Sequence, residues 1–198
     1  MGFLAVMPVA TPVDKQGWTW SSQIDDMTTR STDTQLVLAI IDELVANNQA
    51  DPDRVYVVGF SAGAIMGYQL ACQLSDKIKG FVALSGSMRG NLSNCQPAYP
   101  VAIHHIHGSA DSNIPVNGGP GVSSVPGVLN LWADMINGCD GTVSNSAEFS
   151  ITNNANMAVT NTYNGCMETL KYTQVANGDH FQSYDISVLH QVMADLFQ

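Results

Sequence analysis

Short apolar runs recur along the chain, with residues that favour turns between them. Runs of this length without alternation are typical of strands that are buried on both faces of a sheet. Five of them predict strands, at residues 3–7, 55–58, 81–84, 101–107 and 170–175. Because stretches with helical periodicity separate most of these runs, the pattern predicts a mostly parallel sheet with helices on both faces, which is an α/β fold.

Apolar residues at helical spacing predict two amphipathic helices. In the first, which Thr32 or Asp33 can cap, the spaced residues are Leu36, Val37, Ile40, Ile41, Leu44 and Val45. The last helix has an apolar face along Ile186, Leu189, Met193, Leu196 and Phe197. Further helices are predicted at residues 62–74 and 128–136, a loop at 118–127, and an exposed excursion at 141–156.

Length and charge limit the class of protein. The 198 residues suit one domain, residues 1–198, with a sizeable core. Charged residues make up only 12%, and 7 Lys+Arg stand against 17 Asp+Glu, a formal net charge of −10. Such a surface repels phosphate backbones, so the charge argues against nucleic acids and anionic membranes as partners. Since no run of about 18 apolar residues is present, no transmembrane helix is predicted.

Four cysteines are spread along the chain, and none stands in a CxxC pair. An even number of spaced cysteines in a chain poor in lysine favours two disulfides and an oxidising compartment, hence a secreted or periplasmic protein. Three pairings are open, and four buried free thiols in a cytosolic domain are the alternative. Residues 1–6 are apolar but lack the basic start of a signal peptide, so we expect any targeting segment to lie outside this sequence.

One segment has the pattern of a catalytic nucleophile. Gly59-Phe60-Ser61-Ala62-Gly63 follows a predicted strand and precedes a predicted helix. In that context G-x-S-x-G predicts a sharp turn that strains the serine and projects its hydroxyl, the alternative being a structural glycine-rich turn. We expect both glycines to be required, because a Cβ at either position would collide with the neighbouring strand or helix. The amide of Ala62, at the helix N-terminus, would face a developing oxyanion.

A serine nucleophile needs a base and an orienting carboxylate, and two later strands end in candidates. Asp111 follows the strand at residues 101–107, and His180 follows the strand at residues 170–175. Because the carboxyl ends of parallel strands meet at one edge of a sheet, we expect both side chains beside the serine. Asp179 is the weaker alternative, since neighbours along the chain rarely point at the same imidazole.

Three further histidines lie together in one predicted strand. Alternation along the strand places His105 and His107 on one side and His104 on the other. No third metal ligand with suitable spacing accompanies them. We therefore interpret these residues as buried, hydrogen-bonded histidines rather than as a metal site.

Several motifs follow one another along the chain: Asp51-Pro-Asp-Arg-Val-Tyr-Val-Val-Gly-Phe-Ser-Ala-Gly63, Leu70-Ala-Cys72, Cys95 with Pro97, His105-Ile-His-Gly-Ser-Ala-Asp111 with Ile114-Pro115, Trp132 with Asn137-Gly-Cys139, Tyr163 with Cys166, and Gly178-Asp-His180. In this order they resemble the polyhydroxybutyrate depolymerase and feruloyl esterase branch of the α/β-hydrolases, of the carbohydrate esterase family 1 type. The resemblance implies an α/β-hydrolase sheet and a triad of Ser61 as nucleophile, Asp111 as acid and His180 as base. It implies no cofactor and no metal, and it suggests the disulfides Cys72–Cys95 and Cys139–Cys166.

Two features depart from the pattern of that family. The family's chain begins well before the strand that resembles residues 3–7, and its added portion includes a strand ending in a His-Gly turn, which supplies a second oxyanion donor. We therefore expect a sheet without the usual N-terminal strands, in a trimmed chain, a closed-up sheet or an edge filled by a second chain. In addition, Phe181-Gln-Ser-Tyr184 stands in place of an aromatic-Pro-Gly loop, which predicts a different acyl or alcohol pocket.

These observations predict a serine carboxylic ester hydrolase that acts on feruloyl, acetyl or hydroxyalkanoate esters. Trp18, Trp20 and Phe181 are candidates to wall a pocket for an aryl or sugar-linked ester, and packing of their loops is the alternative. The expected partner is a small-molecule or polymer-linked ester, and an open sheet edge would allow a homo-oligomer. The alternative functions are a thioesterase or peptidase with the same triad, and a binding module without catalysis.

Overall fold

The structure is a computed structural model that describes residues 3–10, 20–22, 29–154 and 156–197. Its strands are β1 Tyr56–Phe60, β2 Gly80–Leu84, β3 Ala102–Gly108, β4 Val143–Asn145, β5 Phe149–Ser150, β6 Met157–Tyr163 and β7 Leu170–Val175. Its helices are α1 Thr32–Ala46, α2 Ala62–Gln73, α3 Val125–Asn130 and α4 Ile186–Leu196. A π-helical segment, Leu131–Ile136, extends α3, and a short 3-10 turn covers Leu92–Asn94.

The described strands form one mixed sheet in the order β1–β2–β3–β7–β6–β4, with β5 pairing along β6. β1, β2, β3 and β7 are parallel neighbours, whereas β6 runs antiparallel to β7. β4 and β5 run antiparallel to β6. The parallel part therefore presents four carboxyl ends at one edge, namely those at Phe60, Leu84, Gly108 and Val175.

Helices cover both faces of this sheet, as the apolar strands predict. Successive strand residues point to opposite faces. Phe81 and Ala83 of β2 pack in one buried cluster with α2 and Trp132, whereas Val82 and Leu84 pack in the other cluster with α4. The predicted α/β fold class is confirmed. Over the described residues, no helix combines the length and the apolarity needed to cross a bilayer.

Residues 3–7, predicted as a buried strand, form no strand, and Met7 is 89% exposed. An apolar run becomes a strand only where a neighbour takes up its backbone hydrogen bonds, and no described strand pairs with this segment. β1 consequently has a single sheet neighbour among the described residues. Val58 is 47% exposed, so the prediction that this strand is buried on both faces is also wrong.

The starts of two helices differ from the predicted ones because other side chains cap them. Ser31, rather than Thr32 or Asp33, caps α1 by accepting from a backbone amide of the first turn. Ser124 caps α3 in the same way, so that this helix begins at Val125, inside the predicted loop. Capping serines thus decide both boundaries.

The antiparallel part of the sheet is what the hydrophobic pattern misses. β6 is rich in Thr and Asn, and most of its residues are only half-buried, so no apolar run marks it. Residues 141–156 are largely exposed, as predicted, but they also contain β4 and β5, which pair with β6. In α4, Ile186 is exposed and Val192 is buried against the sheet, so the predicted apolar face is wrong at its first residue.

Two disulfides are present, and they are the pairs that the family resemblance suggests. Cys72–Cys95 ties the end of α2 to the residue after the 3-10 turn, and Cys139–Cys166 ties the segment after the π-helical segment to the residues before β7. Each bond spans more than twenty residues, so each limits the freedom of the unfolded chain. Among the described cysteines none is free.

The buried imidazole of His104 makes folding stability depend on pH. This side chain lies on the α4 face of β3, with Nε2 2.7 Å from Thr173 Oγ1. Burial, with a smaller effect of Lys171, lowers its pKa from 6.5 to about 3. Below about pH 6.5 His104 binds a proton in the unfolded chain but stays neutral in the folded protein. The unfolded state therefore gains stability as the pH falls toward 3.

Urea titrations at several pH values measure the free energy of unfolding. We expect the contribution of His104 to lower it by up to about 1.4 kcal/mol per pH unit as the pH falls from about 6 to about 5. His104→Gln removes the titrating group, so we expect a shallower slope even if the variant is less stable at neutral pH. Equal slopes for the two proteins would contradict this assignment.

Candidate active site

Ser61 stands at a sharp turn between β1 and α2, as the G-x-S-x-G pattern predicts. Its backbone has φ 53° and ψ −118°, a conformation that persists only where the surroundings enforce it. The Ser61 amide donates to the carbonyl oxygen of Leu84 on β2, and the Ser61 carbonyl accepts from the amides of Ala64 and Ile65. The neighbouring strand and the first helical turn therefore hold the strained serine from both sides.

The two glycines of this turn are not equivalent. A Cβ on Gly59 would overlap the carbonyl group of Gly63, which is backbone that cannot move aside. A Cβ on Gly63 would meet none of the described atoms within 4 Å. The prediction that both positions require glycine is therefore wrong for Gly63, because the close approach involves its carbonyl group rather than the space that a side chain would occupy.

The structure brings Ser61, His180 and Asp111 together. His180 Nε2 is 2.9 Å from Ser61 Oγ, and His180 Nδ1 is 2.8 Å from Asp111 Oδ2. A carboxylate only accepts hydrogen bonds, so Nδ1 carries the hydrogen, and Nε2 of the neutral ring is left to accept the hydrogen of the serine hydroxyl. Both the acid and the imidazole are buried. Asp179, the alternative acid, is exposed.

Two loops that follow adjacent parallel strands carry Asp111, the predicted acid, and His180, the predicted base. The loop after β3 and the loop after β7 approach closely, since a Cβ on Gly108 would overlap the carbonyl group of Gly178. The Ala110 amide donates to the carbonyl oxygen of Gly178 at 2.9 Å, and the Asn177 amide donates to Ser109 Oγ at 2.9 Å. These bonds fix the position of one loop relative to the other.

Asp111 is held by donors on both carboxylate oxygens. Oδ1 accepts from the amides of Asn113 and Ile114, at 2.9 and 2.8 Å. Oδ2 accepts from His180 and also lies 3.2 Å from His107 Nε2. These donors offset the hydration that burial removes from the carboxylate. The contact with His107 was not predicted, although the strand-end histidine stands four residues before the acid, within reach of it.

His105 and His107 lie on the same side of β3, as alternation predicts, with His105 Nε2 3.0 Å from His107 Nδ1. Burial lowers the pKa of both imidazoles. His104 points to the opposite face and pairs with Thr173. All three are buried and hydrogen-bonded, as expected, and the described residues contain no cluster of three side chains arranged to bind a metal ion.

An aromatic pair flanks the imidazole of His180. The ring of Phe60 lies 5.2 Å from the imidazole and that of Phe181 lies 4.8 Å from it, between centroids. The two phenyl rings are 6.1 Å apart, and Phe181 is 72% exposed. Phe181 was a predicted substrate contact, whereas Phe60 was missed, although its place beside the nucleophile in G-x-S-x-G was the available signal.

Of the two predicted tryptophans, the structure describes Trp20. Trp18 lies outside the described residues. Trp20 is half-buried, packs against the core cluster of α2 and lines a cavity of about 390 Å³ between α1 and β1.

Ala62, the predicted oxyanion donor, is the first residue of α2. The first four amides of a helix have no acceptor within the helix, so this N–H is directed outward from the N-terminus beside Ser61. The partial positive charge of the helix N-terminus adds to the attraction of this N–H for an anion. This placement suits an anion that forms next to the serine.

Comparison with known proteins finds a matching family and several relatives that are named as esterases. The family described as phospholipase/carboxylesterase matches residues 6–130. The putative esterase NocK of Nocardia uniformis subsp. tsuyamanensis is 31% identical over 104 residues, which cover 52% of this chain and 30% of that protein. The bifunctional acetylxylan esterase/xylanase XynS20E of Neocallimastix patriciarum is 36% identical over 110 residues, 56% of this chain and 15% of that protein.

A probable feruloyl esterase C of Aspergillus clavatus is 36% identical over 92 residues, 46% of this chain and 33% of that protein. The chain thus spans about a third or less of the length of these relatives. Among solved structures, the acetyl xylan esterase from Aspergillus awamori superposes with a TM-score of 0.60 at 13% identity, over 92% of this chain and 75% of that chain. Esterase PE8 gives 0.55 at 19% identity, over 83% and 59%. At these identities the likeness is one of fold, and it agrees with the predicted α/β-hydrolase sheet.

Exchanging each glycine of the turn for alanine tests the asymmetry between them. We expect Gly59→Ala to lower the free energy of unfolding by about 2 kcal/mol or more, because its Cβ overlaps fixed backbone. We expect Gly63→Ala to leave stability unchanged or to raise it by about 0.5–1 kcal/mol, because alanine favours the helix that it enters. Urea titration of the two variants measures both values, and equal losses would contradict the geometry.

Proposed function

The chain belongs to the phospholipase/carboxylesterase family, and from this membership and the geometry of the site we propose that it hydrolyses carboxylic esters through a serine acyl-enzyme. One observation carries the proposal: a continuous hydrogen-bonded line runs from Asp111 through His180 to Ser61. It ends on a hydroxyl that a strained turn presents at the edge of the sheet. That combination is what nucleophilic attack on an acyl group needs.

In the acylation half-reaction, His180 Nε2 takes the proton from Ser61 Oγ as the oxygen attacks the ester carbonyl carbon. Asp111 keeps the imidazole in the tautomer with hydrogen on Nδ1 and stabilises the positive charge that forms on the ring. The Ala62 amide donates to the oxyanion. The protonated imidazole then gives its proton to the leaving alcohol, and the acyl group remains on the serine.

The deacylation half-reaction repeats these roles with water in place of the serine. His180 Nε2 removes a proton from water, the hydroxide attacks the acyl carbon, and the proton returns to Ser61 as the carboxylic acid leaves. The imidazole therefore has to exchange protons on one nitrogen while the other stays bound to the acid. The 2.8 Å hydrogen bond from His180 Nδ1 to Asp111 Oδ2 holds that second nitrogen in place.

The substrate is a small-molecule or polymer-linked ester with an aromatic or sugar group beside the scissile bond. The phenyl rings of Phe60 and Phe181 lie next to His180, and such apolar aromatic surface suits an aryl acyl group or the apolar face of a sugar. Feruloyl and acetylxylan esterases among the relatives favour these two kinds of ester. The two disulfides favour action in an oxidising compartment, outside the cytosol.

Removing the nucleophile tests the reaction. With p-nitrophenyl acetate, we expect Ser61→Ala to lower kcat by at least about 10³-fold and Asp111→Asn to lower it by about 10⁴-fold, because the amide favours the wrong imidazole tautomer. Ser85→Ala is the matched control, since Ser85 is a buried serine with φ 50° at the end of β2. Turnover in Ser61→Ala close to that of the wild type and of the control would overturn the proposal.

Truncating one ring tests the substrate class. We expect Phe181→Ala to raise KM for an aryl acyl ester such as p-nitrophenyl benzoate by about threefold to tenfold, with a smaller change for the acetyl ester. Tyr99→Ala is the control, because Tyr99 is an exposed aromatic residue shortly before the start of β3, at the opposite edge of the sheet. Equal changes for both esters would remove the aromatic contact from the proposal.

A further inference from the structure

A line of buried polar side chains runs from α2 to the triad acid. The Tyr68 hydroxyl is 2.5 Å from His105 Nδ1, and His105 Nε2 is 3.0 Å from His107 Nδ1. His107 Nε2 is in turn 3.2 Å from Asp111 Oδ2. The side chains of Tyr68, His105 and His107 are shielded from solvent. The acyl-transfer steps use none of these three groups.

The groups at the two ends decide where each hydrogen of this line resides. His107 Nε2 is 2.8 Å from the carbonyl oxygen of Ile114. A carbonyl oxygen only accepts, so Nε2 carries the hydrogen. Burial lowers the pKa of His107 and of His105, so each ring is neutral with one hydrogen. His107 Nδ1 then accepts from His105 Nε2.

The remaining bond of the line follows from the same reasoning. With its hydrogen on Nε2, His105 must accept at Nδ1. The donor is the phenol of Tyr68, which burial keeps protonated by raising its pKa. The ring of Tyr68 is held in turn by edge-to-face packing against Phe81 and Trp132. Every donor in the line thus points toward the loop after β3 that carries Asp111.

His107 also closes a ring of contacts with the loop that carries the acid. Its Nε2–H donates to the Ile114 carbonyl, while the Ile114 amide donates to Asp111 Oδ1 at 2.8 Å. The same Nε2–H lies beside Asp111 Oδ2, the oxygen that binds His180. A shift of the carboxylate away from the catalytic imidazole would therefore disturb contacts at both of its oxygens.

We propose that His107 is a positioning residue for the triad acid, and that Tyr68 and His105 hold it in the tautomer with hydrogen on Nε2. The proposal rests on the catalytic role of Asp111 in the proposed function. In the opposite tautomer, a lone pair on Nε2 would face the Ile114 carbonyl and the carboxylate, and the repulsion would move Asp111 relative to His180. The line also connects α2, which begins beside the nucleophile, to the loop of the acid.

Steady-state kinetics of four variants test this role. We expect His107→Leu to lower kcat by about 10–100-fold with KM changed by less than about twofold, because substrate binding is untouched. His107→Gln offers one amide hydrogen to Ile114 and an oxygen to His105, so we expect it to keep most of the activity. Tyr68→Phe removes the first donor of the line, and we expect kcat to fall by about threefold to tenfold.

The matched control is His104→Gln. His104 is a buried histidine of the same strand, but it points to the opposite face and binds Thr173. We expect its kcat per folded molecule to equal that of the wild type. If His107→Leu stays within about twofold of the wild type, or falls no further than His104→Gln, the positioning role is overturned. A wild type without esterase activity would instead refute the proposed function.

A measurement on the unmutated protein decides the matter if His107→Leu does not fold. Nitrogen-15 NMR of histidine-labelled protein reports the tautomer of each imidazole, and Tyr68→Phe, His104→Gln and His107→Gln assign the signals of His105, His104 and His107. We expect both His105 and His107 to be neutral with hydrogen on Nε2. A His107 that carries its hydrogen on Nδ1, or is doubly protonated at neutral pH, would overturn the proposal whatever the kinetics show.

Discussion

The parallel pairing of β3 with β7 is the constraint on which the candidate active site depends. Their register places Gly108 opposite Val175, so both strands leave the sheet at the same point. The loops that follow can touch because Gly108 lacks a Cβ where the backbone of Gly178 passes. This contact brings Asp111 to His180 across 69 residues of sequence, a separation that no local preference could bridge.

The same edge of the sheet holds a concentration of buried polar groups, and their protonation states fit one another. A buried carboxylate loses its hydration, and the amides of the following turn together with two imidazoles replace it. A neutral His107 places its Nε2–H beside Asp111 Oδ2 without adding a positive charge. A charged one would compete with the imidazolium that the proposed reaction forms on His180, so burial of the strand histidines serves the proposed chemistry.

Sequence patterns predicted what local rules decide, and failed where distant partners decide. The sharp turn at Ser61 and the positions of Asp111 and His180 after two strand ends follow from short motifs and from the rule that parallel strands end at one edge. Residues 3–7 have the composition of a strand but no described partner, and β6 has partners without the composition. The contact between His107 and Asp111 depends on how the loop folds back onto its own strand, which periodicity cannot show.

In the proposed reaction Ser61 is a nucleophile activated through His180. Its most direct test is labelling of the folded protein with a fluorophosphonate, followed by peptide mass spectrometry, because the adduct forms on the activated oxygen itself. We expect one phosphonyl group per chain, on the peptide that contains Ser61, and loss of labelling in His180→Ala. A folded protein that stays unlabelled at Ser61, or that labels equally well without the imidazole, would contradict it.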